Sequence, residues 1–235
     1  MNARLLPVLA GPLWLCGCVV DTGHTALQYD SSTIELDAAE SVQVNLNMGA
    51  GELRVTDGSQ KLLRADFSYN VPGWKPKVRY EHSAGKRGIL TVEQPSSHHA
   101  NLGNNKYQWD LQLNNKVPMD LKLNFGAGDA RLDVGSLTLR SVEIDMGVGK
   151  LQMDLHGKPK QDYSVNVNGG VGEATVRLPN DVGIWAEASG GIGAINVRGL
   201  RKEGGHWESD VLGKSKVTIR VNVQGGIGQV NLIAD

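Results

Sequence analysis

Residues 123–155, LNFGAGDARLDVGSLTLRSVEIDMGVGKLQMDL, carry the same unit twice: a Gly-x-Gly flanked on both sides by strictly alternating apolar and polar residues. Alternation with a period of two is the signature of a half-buried strand. Four more copies appear outward from this run. They are NLNMGAGELRV (45–55), NVNGGVGEATVRL (166–178), EASGGIGAINV (187–197) and NVQGGIGQVNL (222–232). The second glycines are Gly51, Gly128, Gly149, Gly172, Gly193 and Gly228, separated by 77, 21, 23, 21 and 35 residues. A spacing that returns near 21 marks stacked repeats.

The apolar positions before each corner are Val44 and Leu46, Leu121 and Leu123, Val142 and Ile144, Val165 and Val167, Ile184 and Ala186, and Val221 and Val223. After it come Leu53 and Val55, Ala130 and Leu132, Leu151 and Met153, Ala174 and Val176, Ile195 and Val197, and Val230 and Leu232. One unit is therefore strand, tight corner, strand, with one face buried. Glycine suits the corner because it takes positive φ freely and has no Cβ to strike the coil above. The residue before the Gly-x-Gly runs from Met48, Phe125 and Met146 to Gly169, Gly190 and Gly225, as in a tapering core. A single unit cannot bury its apolar face; neighbours ~4.8 Å away must complete it. The fold class is all-β: a β-solenoid from about residue 117 to 235, preceded by an N-terminal β region of hairpins over 34–116. That region includes strands 77–82 and 89–93 around the turn 83–88, and an exposed loop at 95–106. A second excursion, 201–214, carries His206 and Trp207. The last strand, 230–234, is the expected open edge of the stack and invites pairing with another chain.

The run 123–155 resembles the toast-rack repeat proteins, which are related to the C-terminal domain of cell-envelope stress-response regulators and, more distantly, to β-helical adhesin-like proteins. The resemblance covers about residues 40–235. It implies a β-solenoid on the envelope side with no known enzymatic activity, and it transfers no catalytic or binding residue, because the matching positions are corner glycines and core aliphatics. The regulators carry transmembrane helices beside this domain; this chain has no such segment, which weighs against a signalling role.

The N-terminus reads as a targeting segment. Arg4 precedes an apolar stretch, 5–15, too short to span a bilayer as a helix and interrupted by Pro7 and Pro12. Leu15-Cys16-Gly17-Cys18 looks like a lipobox, so residues 1–17 are expected to be a lipoprotein signal peptide, Cys18 the lipid-attachment residue, and 18–33 a tether. Several acyl chains on one residue anchor stably, where one binds only marginally. The two cysteines both lie here, so cleavage before Cys18 leaves a body without thiols and excludes a disulfide framework or a cysteine nucleophile. Val19 after the anchor favours the outer membrane in a Gram-negative host, by resemblance to enterobacterial sorting.

The net charge of −1 gives no electrostatic case for nucleic acid. A strand follows every Gly-x-Gly, where a dinucleotide fold needs a third glycine and a helix, so no cofactor is expected. Calcium-binding glycine repeats need aspartate where this chain has Ala174, Ile195 and Val230. Asp21-Thr22-Gly23 matches half of an aspartic-protease motif without the second carboxylate such a dyad requires. His98-His99 in a polar loop lacks accompanying carboxylates, and His206 beside Trp207 is a weak pocket signal; no metal site is expected. Outward asparagines at 45, 47, 124, 166, 168, 196, 222 and 231 would align into ladders that suit a polar glycan or simply stabilise stacked strands, the second being the simpler reading. Trp185, between inward Ile184 and Ala186, is the candidate contact residue for a sugar or protein. The expectation is a lipid-anchored, non-enzymatic envelope protein that binds or scaffolds, with cell-wall glycan or an envelope protein as partner. The alternatives are an envelope-stress regulatory or accessory protein acting on a membrane partner and a polysaccharide-acting β-helix enzyme, which would need carboxylates or Arg and Lys gathered on one outer face.

Overall fold

The computed structural model describes residues 26–82, 86–96 and 105–235. Among these residues thirteen strands form one sheet, and the six Gly-x-Gly units are six long bent strands within it. These are β2 (Ser41–Thr56), β7 (Met119–Asp133), β8 (Leu139–Asp154), β9 (Tyr163–Leu178), β10 (Gly183–Arg198) and β13 (Thr218–Ala234). They run parallel and in register, each corner glycine opposite the next: Gly51 on Gly128, Gly149, Gly172, Gly228 and Gly193. The inward alternating residues form one apolar core, with Val44, Leu46, Leu53, Val55 and most of their equivalents buried, while Ala174, Ala188 and Val197 are half-buried and Ile195 is exposed.

Two features of the stack differ from the sequence expectation. The first coil is β2, which pairs directly with β7 across the 77-residue gap, so the stack begins well before residue 117. The last strand is not an edge. β13 inserts between β9 and β10, so 230–234 is paired on both sides and the open edge passes to β10. In this order Ile227 stands between Val171 of β9 and Ile192 of β10, and Val230 between Ala174 and Ile195.

At the other end the stack splits in two. The first half of β2 pairs with β5 (Arg87–Glu93), which forms a hairpin with β4 (Lys77–His82). Its second half pairs with β6 (Tyr107–Leu113), followed outward by β3 (Leu63–Tyr69) and β1 (Gln28–Ile34). β1 occupies part of the stretch 18–33 read as a tether, so any tether ends before Gln28. This end is sealed by aromatics. Trp109 is fully buried and meets Phe67 and Tyr107 edge-on at 5.7 and 5.8 Å, and Trp74 meets Tyr107 at 5.3 Å. Such pairs contribute about 0.5–1.5 kcal/mol each beyond burial. On the outermost strand, Asp30 accepts hydrogen bonds from Lys75 and from Tyr69. No helix among the described residues is long and apolar enough to cross a membrane.

Candidate binding surface

The corners are packed so closely that their glycines have no substitute. At Gly149, φ is 135° and a Cβ would overlap the Gly128 carbonyl oxygen; Gly172 stands in the same relation to Gly149, and Gly228 to Gly172. A second column, Gly126, Gly147, Gly170, Gly226 and Gly191, is crowded in the same way by the carbonyl of the coil beneath. Between these two bare columns stands the middle residue of each unit, in the spatial order Ala50, Ala127, Val148, Val171, Ile227, Ile192. This row is exposed and its side chains enlarge along the stack. Val148, Val171, Ile227 and Ile192 are between 46% and 72% exposed. Contiguous exposed apolar side chains rimmed by polar ones mark interaction sites more often than isolated ones do.

The polar rim lies just before the corner. Asn47, Asn124, Asp145 and Asn168 follow one another in register, with Asn124 donating to Asn47 at 2.7 Å and Asn168 to Asp145 at 2.8 Å. Gln94 closes this row at the β5 end, its Oε1 accepting from the Gly49 and Ala50 amides. A strip of glycine backbone separates the amide row from the apolar row. Beyond the corner the outward row is Arg54, Arg131, Gln152, Thr175, Asn231, Asn196, a mixture that gathers no acids. Asn196 donates to Asn231 and Asn231 to Thr175, so these amides also pair along the stack.

The tapering column before the corner leaves a slot of about 70 Å³ between the two halves of the last three coils. Gly169, Gly225 and Gly190 face Ala174, Val230 and Ile195 across it, and Met146 and Leu151 floor it. Here glycine is not demanded by crowding: at Gly169 and Gly190 an added Cβ would meet nothing nearer than a carbonyl oxygen at 3.8 Å. The missing side chains are what keep the slot open.

Trp185, singled out from sequence, is half-buried on β10 rather than free. Its ring stacks on His206 at 5.2 Å and 29°, and the Arg220 guanidinium lies 5.8 Å from its centroid. His206 in turn contacts Glu208 at 2.8 Å. The ring that would stack on a sugar already stacks on its own chain, held by the hairpin of β11 (Arg201–Glu203) and β12 (His206–Glu208). Cys18, Asp21-Thr22-Gly23 and His98-His99 lie outside the described residues. Among the described residues no three His, Asp or Glu side chains gather as a metal site would require. The apolar row has a sequence signal outside the alternation: Ala, Ala, Val, Val, Ile and Ile between glycines are out of phase with a buried strand face.

Bent parallel coils stacked on glycine columns, with two continuous side-chain rows at the bend, define a β-solenoid of the toast-rack type. The chain belongs to that family: the family described as "N-terminal domain of toast_rack, DUF2154" matches residues 22–177. Among solved structures, a candidate cell adhesion protein from Clostridium sporogenes is 36% identical, with 89% of this chain and 100% of that one covered and a TM-score of 0.86. A candidate adhesin from Bacteroides fragilis (11% identity, 88% and 97% covered, TM-score 0.33) is far more distant. So is a candidate lipid binding protein from Parabacteroides distasonis (8%, 88% and 96%, 0.27). These two superpose too poorly to bear on this chain. No curated protein matches it.

Proposed function

We propose that this is a lipid-anchored protein of the cell envelope that binds rather than catalyses, and that it presents its corner face to cell-wall glycan. The observation that carries the reading is the pair of parallel rows at the corner. An amide row (Asn47, Asn124, Asp145, Asn168) on β2, β7, β8 and β9 and an apolar row (Val148, Val171, Ile227, Ile192) on β8, β9, β13 and β10 overlap in β8 and β9, where Asp145 and Asn168 flank Val148 and Val171 across Gly147 and Gly170. A polymer lying along the stack meets hydrogen-bonding groups on one flank and β-branched methyls on the other, at a repeat of ~4.8 Å. Sugars offer hydroxyls at their edges and C–H groups on their faces, which suits that division. The relative from Clostridium sporogenes, a candidate cell adhesion protein of nearly the same extent, supports a surface-binding role. Anchoring rests on the lipobox-like residues ending at Cys18.

The test is co-sedimentation of the chain with isolated cell-wall sacculi, comparing the unaltered protein with Val148→Asp/Val171→Asp and with Trp185→Ala. Saturable binding, lost in the double variant at an unchanged thermal midpoint and kept by Trp185→Ala, supports the reading. Binding that survives the double variant, or none above background, overturns it. For the anchor, labelled palmitate enters the unaltered chain and fails to enter Cys18→Ser.

A further inference from the structure

We infer that the outer rim of β10 is a self-complementary edge through which two copies of this chain join their stacks about a two-fold axis. The two ends of the sheet are built differently. A stack of repeats needs capping ends, and the β1 end has one, with buried aromatics and the Asp30–Lys75 ion pair. At the other end the β11–β12 hairpin covers only the start of β10, pairing Glu208 with Trp185 and Trp207 with Ala186. From Glu187 onward that rim of β10 has no partner strand among the described residues, while its inner rim is paired with β13 as far as Arg198.

Exposed edges are usually protected by charge, proline or a bulge. The segment 188–197, ASGGIGAINV, has no charged residue and no proline, and it is bounded by Glu187 and Arg198. Both are exposed, and neither forms an ion pair within the chain among the described residues. Laid antiparallel against its own copy with Glu187 opposite Arg198, the strand matches itself at every level. The parity of the faces is kept: inward Ala188 meets inward Val197, and outward Ser189 meets outward Asn196. Volumes match too, since Gly190, where a Cβ has room, comes opposite Ile195, which is 39% exposed in a position buried in every other coil except at the half-buried Ala174 of β9. The axis passes through the corner between Ile192 and Gly193, so the first half of one bent strand lies on the second half of the other and the bend continues. Ile192, 72% exposed, then covers its twin across the axis. The hairpin ends its cover at Ala186, one residue before this pairing begins, and the partner strand turns away at its Gly199, where φ is 73°.

A closed two-fold contact uses the same patch on both copies, and the opposite charges at its ends fix the register. The other edge is no match for it: β1 carries Asp30 and the exposed Tyr29. Ile192 belongs to both surfaces, but the residues substituted to test the glycan reading, Val148 and Val171, lie in other coils, so the two tests fail separately.

Sedimentation equilibrium on the chain from residue 18 with Cys18→Ser, which keeps every described residue, tests it. The expected result is a monomer–dimer equilibrium in the micromolar range, weakened about tenfold or more by Glu187→Arg and equally by Arg198→Glu. An equimolar mixture of the two variants restores association, because each then offers the charge the other lacks, and both keep the thermal midpoint of the parent. A monomer at all concentrations, or a dimer whose affinity neither reversal moves, overturns the inference.

Discussion

A methyl group added at Gly149 would strike the Gly128 carbonyl at a φ of 135°, whereas the same methyl at Gly169 meets nothing nearer than the Gln224 carbonyl oxygen at 3.8 Å. Gly149→Ala combines backbone strain with overlap in a register that fixes both neighbours. It should lower the unfolding free energy by about 3 kcal/mol in urea titration. Gly169→Ala enters the slot with no strain and restricts the unfolded chain, so it should be neutral or stabilising by about 0.5 kcal/mol. From sequence, both residues belong to the glycine pattern of the repeat. Their opposite roles depend on what stands in the neighbouring coil, which one strand cannot report.

The C-terminal strand shows how elements in the stack are held from outside it. Beyond β13, Asp235 meets Arg177 at 3.2 Å and His156 at 3.1 Å, and His156 also contacts Asp154 at 2.7 Å. Burial works to lower the His156 pKa, but hydrogen bonds to Asp154 and Asp235 and their negative charge outweigh it, so the imidazole titrates above its ordinary value of 6.5. Because the folded value is the higher one, the cation's stabilisation is complete below the unfolded value and is lost as pH rises through the folded one. His156→Gln should therefore cost stability at pH about 5.5 and little at pH about 8.5. The difference should be under about 1 kcal/mol, since the groups are half exposed. Thermal midpoints at the two pH values check it, and an equal loss at both would contradict the assignment. The β character of these strands was plain from alternation; the clasp was not, because His156 and Asp235 are brought together only by the position of β13.

For the whole molecule, the decisive fact is that spatial order departs from chain order. Among the described residues β10 has β13 as its only long neighbour. If the stack followed the sequence, removing the last strand would strip one end coil. Here a chain ending before residue 217 would leave β10 with no parallel partner and expose the core face of β9. That truncation should lose the cooperative thermal transition and become insoluble; a soluble protein with most of the parent's β signal in circular dichroism would refute the topology. The N-terminal region likewise could be read as strands but not as a divided cap, since β5 and β6 share one partner, β2, through its two halves.

Sequence by itself determined the unit: which residues turn inward, where each strand bends and why only glycine serves there. Those are local consequences of a period of two and of φ. Tertiary structure decided the order of the coils, which edge stays open, and that Trp185 is committed to its own hairpin while the exposed apolar row stands at the corner. The physical reason is that every coil presents nearly the same backbone edge to its neighbours. Local chemistry then permits many stacking orders, and the one observed exists only in the assembled sheet, where β13 pairs with both β9 and β10.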